Sequence, residues 1–211
     1  MKAIALFIAV WAGFVTAGAQ TKTEKHISFS GKESVKLDIQ ITDSINIRTW
    51  NKNEVYVVSS VNINENRDND AYQISYDESG NSVGINAGFK KDYFRGKDNC
   101  CTKTEITWHI CIPENTPLYV ETINGNTTIT GRTKQMNVKT ISGFVDLAVP
   151  ASENANLEFS TISGTVFTNH SFAVETVSSG ITSVIKEKLN QGGPLIKLAT
   201  ISGDIFFRRT E

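Results

Sequence analysis

Apolar and polar residues alternate along most of the chain beyond residue 20, as they do in strands that bury one face. A recurring phrase interrupts the alternation: one alternating arm leads into Thr-Ile-Ser-Gly, and a second arm follows. The phrase is TINGN from Thr122, TISGF from Thr140, TISGT from Thr161 and TISGD from Thr200, with a looser copy, TVSSG, from Thr176. The pattern predicts an all-β chain built on an internal repeat of about 20 residues.

The phase of the alternation requires a bend at the repeated glycine. Thr140 and Val145 both belong to the buried pattern, yet they are five residues apart, so a straight strand would place them on opposite faces. Glycine adopts backbone conformations that other residues avoid, and the adjacent Ser or Asn hydrogen-bonds locally. We therefore predict structural corners at five glycines. They are Gly125, Gly143, Gly164, Gly180 and Gly203.

Two architectures satisfy this phase. In a β-solenoid, each coil of about 20 residues stacks on the next, so that Thr lies over Thr, Ile over Ile and Gly over Gly. In an antiparallel meander or β-sandwich, each Ser-Gly is a two-residue hairpin turn. Only stacking explains why neighbouring repeats share a sequence, so we favour the solenoid.

The part of the chain before the repeats is more divergent, which is usual for the terminal coils of a solenoid. We assign atypical coils to residues of about 27–113 and the repeats to about 114–209. Residues 44–61 and 71–87 each predict a strand, a polar turn and a second strand. Residues 183–191 are predicted to form one helical turn or a loop.

The N-terminus has the pattern of a secretory signal peptide. Lys2 precedes the apolar run Ala3–Val15, and Ala17-Gly18-Ala19 supplies small residues for cleavage. The run is shorter than the roughly 20 apolar residues of a transmembrane helix. We predict a signal peptide at 1–19 and one domain at 20–211. The mature chain is then exported to the periplasm or cell surface without a transmembrane segment.

Charge and motifs exclude some classes of function. The chain has 21 basic and 22 acidic residues, a balance that gives no basic face for nucleic acid. Phosphate-binding, dinucleotide-binding and nucleophile-elbow motifs are missing from the sequence. His26, His109 and His170 lack the spacing of metal ligands. We expect no metal, no cofactor and no enzymatic activity.

The acidic residues leave one enzymatic alternative open, a carbohydrate-active β-helix. Such an enzyme needs carboxylates that converge on adjacent coils. The acids of the repeat region are scattered instead: they are Glu121, Asp146, Glu158, Glu175 and Asp204.

The three cysteines are Cys100, Cys101 and Cys111. In an oxidising compartment a disulfide between Cys111 and either Cys100 or Cys101 is one prediction, and three unpaired thiols are the alternative. Adjacent cysteines are poor zinc ligands, so a zinc site is not expected.

One segment, residues 86–101, breaks the strand rhythm and mixes aromatic with basic residues. Such a loop can recognise an anionic glycan, a lipid head group or a protein. Its aromatic side chains can equally anchor the loop to the core. The candidate binding residues are Phe89, Lys90, Lys91, Tyr93, Phe94, Arg95 and Lys97.

The order of these motifs resembles the bacterial "putative adhesin" domain family. The resemblance is carried by SINIRTWNKNEVYVVSSV, by ITWHICIPENTPLYVETINGNTTITG and by the later TISG copies, and it covers about residues 35–209. It implies a single-stranded right-handed β-helix and an export signal, and no catalytic residue. The resulting hypothesis is an exported, non-catalytic protein that binds an envelope glycan, lipid or protein. The alternative is an envelope-stress or scaffold component that acts through protein contacts.

Overall fold

The structure is a computed structural model that describes residues 21–95, 102–171, 176–179 and 182–210. These residues form sixteen strands and a short 3₁₀ turn at Asn69–Ala71, and they contain no α-helix. The strands join one mixed sheet, so the chain is all-β as predicted. The strands are β1 (Thr21–Ser28), β2 (Ser34–Ile39), β3 (Ile41–Trp50), β4 (Glu54–Ile63), β5 (Tyr72–Asp77), β6 (Ser82–Phe89), β7 (Thr104–Pro113), β8 (Leu118–Thr130), β9 (Met136–Ser142), β10 (Val145–Val149), β11 (Ala155–Ser163), β12 (Val166–Thr168), β13 (Thr176–Ser179), β14 (Thr182–Leu189), β15 (Leu195–Ser202) and β16 (Ile205–Arg209).

The sheet divides into two rows of paired strands, because each corner sends its two arms to different neighbours. Row A runs β5, β6, β2, the first part of β8, β9, β15, β11, β14 and β13. Row B runs β1, β4, β7, β3, the second part of β8, β10, β16 and β12. Each of the four close copies of the repeat therefore contributes one arm to row A and one arm to row B.

The two rows pack against each other through their inward-facing apolar side chains. Phe159 of row A contacts Phe207 of row B, with ring centroids 5.2 Å apart, and both rings are fully buried. At the other end, the Tyr72 hydroxyl of row A donates a hydrogen bond of 3.0 Å to the carbonyl of Ile41, where β3 begins. The single core lies between the rows, and every second residue of a strand faces outward.

The repeats stack in register with like residues beside like. Parallel pairing aligns Thr122 with Thr140, Thr140 with Thr200, and Thr200 with Thr161. In the described strands, β9 pairs with β8 and β15, whereas its following arm β10 pairs with β8 and β16. The arms on either side of a corner therefore do not pair with each other, and the hairpin alternative is not what forms at these corners.

The stacking order departs from the predicted solenoid, whose coils would follow one another along the chain. The last arm pair, 195–209, lies between the pairs at 136–149 and 155–168. Strand β14 folds back antiparallel on one edge of β11, so β15 occupies the other edge, which faces β9. Antiparallel strands also lie at both ends of row A and at the β1 end of row B. The result is a mixed sheet with a parallel centre.

The looser repeat copy does not join the stack of corners. Its Thr176 lies in β13, which pairs antiparallel with β14 and aligns Thr176 with Ile185. The predicted corner glycine Gly180 lies outside the described residues. The segment expected to be a helical turn or loop is largely strand β14, Thr182–Leu189. Hydrogen bonding along β11 determines this conformation more strongly than the weak local pattern.

The N-terminal strand–turn–strand predictions are confirmed. Strands β3 and β4 flank a turn at 51–53, and β5 pairs with β6 across a turn that contains Gly80. Strands β3 and β4 are not paired with each other, because β7 lies between them. The predicted signal peptide lies in residues 1–20, outside the described part of the chain, and stays a prediction.

Candidate functional site

Each of the four stacked corners buries a threonine whose hydroxyl is hydrogen-bonded to the backbone. Thr140 Oγ1 donates to the Ser142 carbonyl at 3.0 Å, and Thr161 Oγ1 donates to the Gly203 carbonyl at 3.2 Å. Thr122 and Thr200 make equivalent, longer bonds to carbonyl oxygens. The expected row of threonines therefore holds the corner backbone in place, since each buried hydroxyl finds its acceptor on a backbone carbonyl.

The corner glycines lie so close together that side chains would collide there. A Cβ atom on Gly203 would lie 2.1 Å from the carbonyl oxygen of Gly143. One on Gly143 would lie 2.5 Å from the carbonyl oxygen of Gly125, and Gly143 also has a φ of 113°. A Cβ on Gly164 would lie 1.9 Å from the Gly203 carbonyl oxygen. The recurring glycine thus lets successive corners approach within hydrogen-bonding distance of each other.

The isoleucine of each corner faces solvent. Because Thr points inward, the next residue points outward, and the chain carries a row of exposed isoleucines on the outer face of row A. Their exposed fractions are 45% for Ile123, 48% for Ile141, 47% for Ile201 and 49% for Ile162. Four large aliphatic side chains aligned on adjacent strands form a contiguous exposed apolar patch, and such patches mark interaction sites.

A groove of about 610 Å³ runs beside this isoleucine row and across five strands. Its floor follows a line of outward positions two residues before the isoleucines. Ala199 and Ser160 pair side by side in this line, and their small side chains leave a depression beside the larger Ile201. We call this feature the isoleucine groove: the four isoleucines and the floor positions Glu121, Lys139, Ala199 and Ser160.

Beyond Glu121 the same line of positions becomes polar. Register aligns Glu121 with Asp38, Asp38 with Asn86, and Asn86 with Ser75. A second depression of about 230 Å³ is lined here by Asp38, Gln40, Gln73, Ser75, Asn86 and their neighbours. Asp38 and Gln40 line both depressions, so the isoleucine groove continues into this polar section.

Ion pairs organise the charges around the groove. Lys139 Nζ lies 3.1 Å from Glu121 Oε1 within the floor. Just outside it, Lys197 donates a hydrogen bond to Glu158, and Lys186 lies 3.7 Å from the same carboxylate. The hydrogen bond from Lys197 is the main cause of a pKa of Glu158 below its ordinary value. These pairs leave the apolar end of the groove without an unpaired charge among its described floor residues.

The lowered pKa of Glu158 predicts a pH-dependent contribution to stability. Its ionised form is favoured in the folded state, so the contribution is present above the ordinary value of 4.5 and is lost as pH falls through the lower folded value. We expect Glu158→Gln to reduce the free energy of unfolding at pH 7 by up to about 1 kcal/mol. Urea unfolding at pH 7 and pH 3 should show the difference shrinking at pH 3. An equal difference at both pH values would contradict this assignment.

The aromatic–basic segment has its aromatic side chains packed on one another. The Phe89 ring stacks on Tyr93 with centroids 5.1 Å apart and meets Tyr72 edge-on at 5.3 Å. Lys90 lies 3.3 Å from the Asp70 carboxylate. Phe94 joins the aromatic cluster, Arg95 is paired with Asp92, Lys91 is exposed, and Lys97 lies outside the described residues. Anchoring of the segment accounts for these contacts, and its role in binding stays a prediction.

Cys111 lies in the extended strand β7. Its two predicted disulfide partners, Cys100 and Cys101, lie outside the described residues, so the disulfide stays a prediction. Among the described residues the Cys111 thiol is unpaired, and burial raises its pKa.

The carbohydrate-active alternative needs carboxylates that converge on adjacent coils, and the described carboxylates of the repeats do not converge. Asp146 lies in β10 of row B and Asp204 lies at the corner between β15 and β16, whereas Glu121 and Glu158 lie in row A. Asp146 accepts two hydrogen bonds from Arg208, and Asp204 accepts one from the Thr165 amide. Glu175 lies outside the described residues. Within the described ranges, no three His, Cys, Asp or Glu residues are grouped to hold a metal ion.

The histidines are dispersed over the molecule. His109 is an exposed strand residue, His170 is buried with its ring stacked on Phe207, and His26 lies beside Glu54 at 3.3 Å.

Sequence reasoning assigned the isoleucines to stacking and missed that they form a surface. The alternation already carried the signal, since a residue that follows a buried threonine must face outward. The depression next to them could not be predicted from the alternation, because Ala199 and Ser160 are 39 residues apart in sequence. They become neighbours only through the order of the strands in the sheet.

No helix in the described part of the chain is long and apolar enough to cross a membrane. No protein-family model matches the chain, and a comparison with curated proteins found no match.

A solved structure shares its fold. A "putative cell adhesion protein" from Clostridium sporogenes is similar with a TM-score of 0.59 and 12% identity, over 91% of this chain and 100% of that one. A "putative adhesin" from Bacteroides fragilis is 11% identical over 92% and 99% of the two chains, with a TM-score of 0.35. The resemblance to "putative adhesin" proteins seen in the sequence is thus matched, at the level of the fold, by the Clostridium sporogenes protein.

Proposed function

We propose that the protein is an exported, non-catalytic binding protein that attaches to cell-envelope or extracellular material through the isoleucine groove. The observation that carries this proposal is the row of four half-exposed isoleucines, one from each stacked corner. Exposed aliphatic side chains are unfavourable in water, and a contiguous row of them gains free energy when a ligand covers it.

The scaffold beneath the groove suits a binding role. The groove is built on the central parallel strands of row A, whose register is fixed by threonine hydrogen bonds and close glycine contacts. Sites on strands hold their geometry more accurately than sites on loops. In this proposal the stacked arm pairs serve as the coils of a short solenoid, which presents one repeated side chain along its length.

Two further considerations support export and adhesion. The apolar run Ala3–Val15 with its small-residue cleavage pattern fits a secreted precursor. The fold neighbour from Clostridium sporogenes is named a "putative cell adhesion protein". Four carboxylates of the described repeats are individually bonded to basic side chains or amides, which favours binding over glycan hydrolysis; they are Glu121, Asp146, Glu158 and Asp204.

The test compares retention of labelled protein on isolated envelope lipid, peptidoglycan and extracellular polysaccharide. The groove variant carries Ile141→Thr and Ile201→Thr, which keep the β-branched shape suited to a strand but remove aliphatic surface. A matched surface control is Phe167→Thr, because Phe167 is 47% exposed on row B, away from the groove. On one of the three fractions, we expect the groove variant to be retained about tenfold less than the unchanged protein. The control variant should be retained as well as the unchanged protein.

Other results would contradict the proposal. Retention that survives in the groove variant but falls in Lys90→Ala, Lys91→Ala would move the binding site to the aromatic–basic segment. Hydrolysis of a fraction would indicate an enzyme. If the unchanged protein is retained on none of the three fractions and binds a single envelope protein instead, the scaffold alternative is favoured.

A further inference from the structure

We propose that the ligand of the isoleucine groove is an amphiphile with one aliphatic chain and a polar, non-anionic head group. This inference rests on the proposed function and names the class of molecule that the same site takes. The chain would lie along the isoleucines, and the head group would lie in the polar section beside Asp38.

The dimensions of the apolar section fit a single alkyl chain. It crosses β8, β9, β15 and β11, which are three inter-strand spacings or about 14 Å. With strands ~4.8 Å apart, that span equals the length of about 11 methylene groups in an extended alkyl chain. A chain lying across the strands would contact an isoleucine from each of the four strands.

The chemistry of the lining favours an aliphatic ligand over nucleic-acid bases. None of the described residues that line the isoleucine groove is aromatic. Aromatic faces are what proteins use to stack nucleic-acid bases, and aromatic rings also supply much of the buried contact area at recognition surfaces. A wall of branched aliphatic side chains with a floor of Ala199 and Ser160 instead matches methylene groups in shape and polarity.

The backbone beneath the groove excludes an added peptide strand. Strands β8, β9 and β15 each have a parallel neighbour on both edges in row A. Their amide and carbonyl groups are therefore already bonded within the sheet. Peptide recognition by strand addition requires a free edge, and the groove crosses the strands away from any edge.

The polar section selects the head group by charge. Gln73, Ser75 and Asn86 offer neutral hydrogen-bonding groups, and Asp38 adds an exposed carboxylate. Lys139, the nearest cation of the line, is already paired with Glu121 at 3.1 Å. The section therefore favours hydroxyl, amide or ammonium groups and repels phosphate or sulfate, because an unpaired carboxylate disfavours a second anion.

The experiment titrates alkyl maltosides with 8, 10, 12 and 14 carbons into the protein purified from an exporting bacterial host. Each is kept below its critical micelle concentration, and binding is measured by isothermal titration calorimetry. We expect one site whose affinity rises by up to about fourfold per added methylene and levels off near 12 carbons. Dodecyltrimethylammonium should bind at least as well as the maltoside, and dodecyl sulfate about tenfold more weakly.

Variants distinguish binding in the isoleucine groove from nonspecific binding to other apolar parts of the surface. Ala199→Leu fills the floor and should weaken dodecyl maltoside at least about tenfold, whereas Phe167→Thr should not change it. Asp38→Asn, a surface change that leaves the sheet intact, should remove the discrimination against dodecyl sulfate. Circular dichroism and urea unfolding establish that each variant is folded before it is titrated.

Three results would overturn the inference. They are an affinity independent of chain length, binding unchanged in Ala199→Leu, and a groove that proves to be the contact between two copies of the chain. The last would appear as a dimer in sedimentation that dissociates in the Ile141→Thr, Ile201→Thr variant and binds no amphiphile. If that variant still loses retention on an envelope fraction while no amphiphile binds, this inference fails and the proposed function stands.

Discussion

Replacing Gly143 with alanine is expected to lower the free energy of unfolding by about 4 kcal/mol, a large part of the total for a domain of this size. Gly143 lies at the middle of the stack of corners, with a φ of 113° that other residues rarely adopt. An added Cβ would lie 2.5 Å from the Gly125 carbonyl oxygen and 2.8 Å from its carbon. Backbone atoms on a neighbouring strand cannot move aside without breaking the register of row A.

Urea unfolding monitored by circular dichroism measures this loss, and Gly80→Ala is the matched control. Gly80 also has a positive φ, 63°, but no atom lies within 4 Å of the position its Cβ would take. Its replacement should therefore lower the free energy of unfolding by only about 1–2 kcal/mol, the cost of holding a residue with a Cβ in a left-handed backbone conformation. Equal losses in the two variants would show that the corners do not depend on close approach of their backbones.

Replacing Phe159 with alanine is expected to cost about 3–5 kcal/mol, because the change opens a cavity in the core between the rows. Phe159 is fully buried in row A and contacts Phe207 of row B with ring centroids 5.2 Å apart. The same measurement on Phe159→Ala, Phe207→Ala and the double variant gives a coupling energy. Aromatic pairs of this kind typically couple by about 0.5–1.5 kcal/mol.

Phe167→Ala serves as the control for aromatic removal. Phe167 lies on the outer face of row B and is 47% exposed, although it stacks on Phe206 at 5.2 Å. Its loss should cost no more than about 1.5 kcal/mol. Rows that pack independently would give zero coupling between Phe159 and Phe207, and that result would refute the single shared core.

Local patterns in the sequence sufficed for the strands and the corners. Alternation identified the arms, and the five-residue separation of Thr140 and Val145 required the bend that places both side chains inside. Parallel alignment of Thr140 with Thr200 follows from the shared motif, since like side chains pack well at one level. These features depend on a few neighbouring residues and on backbone geometry that every repeat obeys.

The order of the strands could not be predicted in the same way. Because the repeats present similar inward side chains, each arm pair would fit at several levels of the stack. Edge pairing decides between them: β14 covers one side of β11, which leaves the other side for β15. The charged stretch Lys186–Lys188 hid β14 from pattern analysis, although Ile185 and Leu189 are buried.

The candidate site inherits this difficulty. Exposure of the isoleucines follows from alternation alone, but the depression beside them requires Ala199 to lie between Lys139 and Ser160. A stack in chain order would instead have placed Lys139 directly beside Ser160. The polar section has the same origin, since Asp38, Asn86 and Glu121 meet only through pairing between distant segments.

The position of residues 195–209 inside the stack has a consequence for folding. This segment follows the arm pairs at 136–149 and 155–168 in the sequence but lies between them in the sheet, so those two pairs cannot complete their shared core before it is in place. Pairing of this kind is slow, because the partners are far apart in sequence and the connecting loops must be closed first. Until the segment arrives, both pairs expose unpaired strand edges, which makes the partly folded chain prone to aggregation.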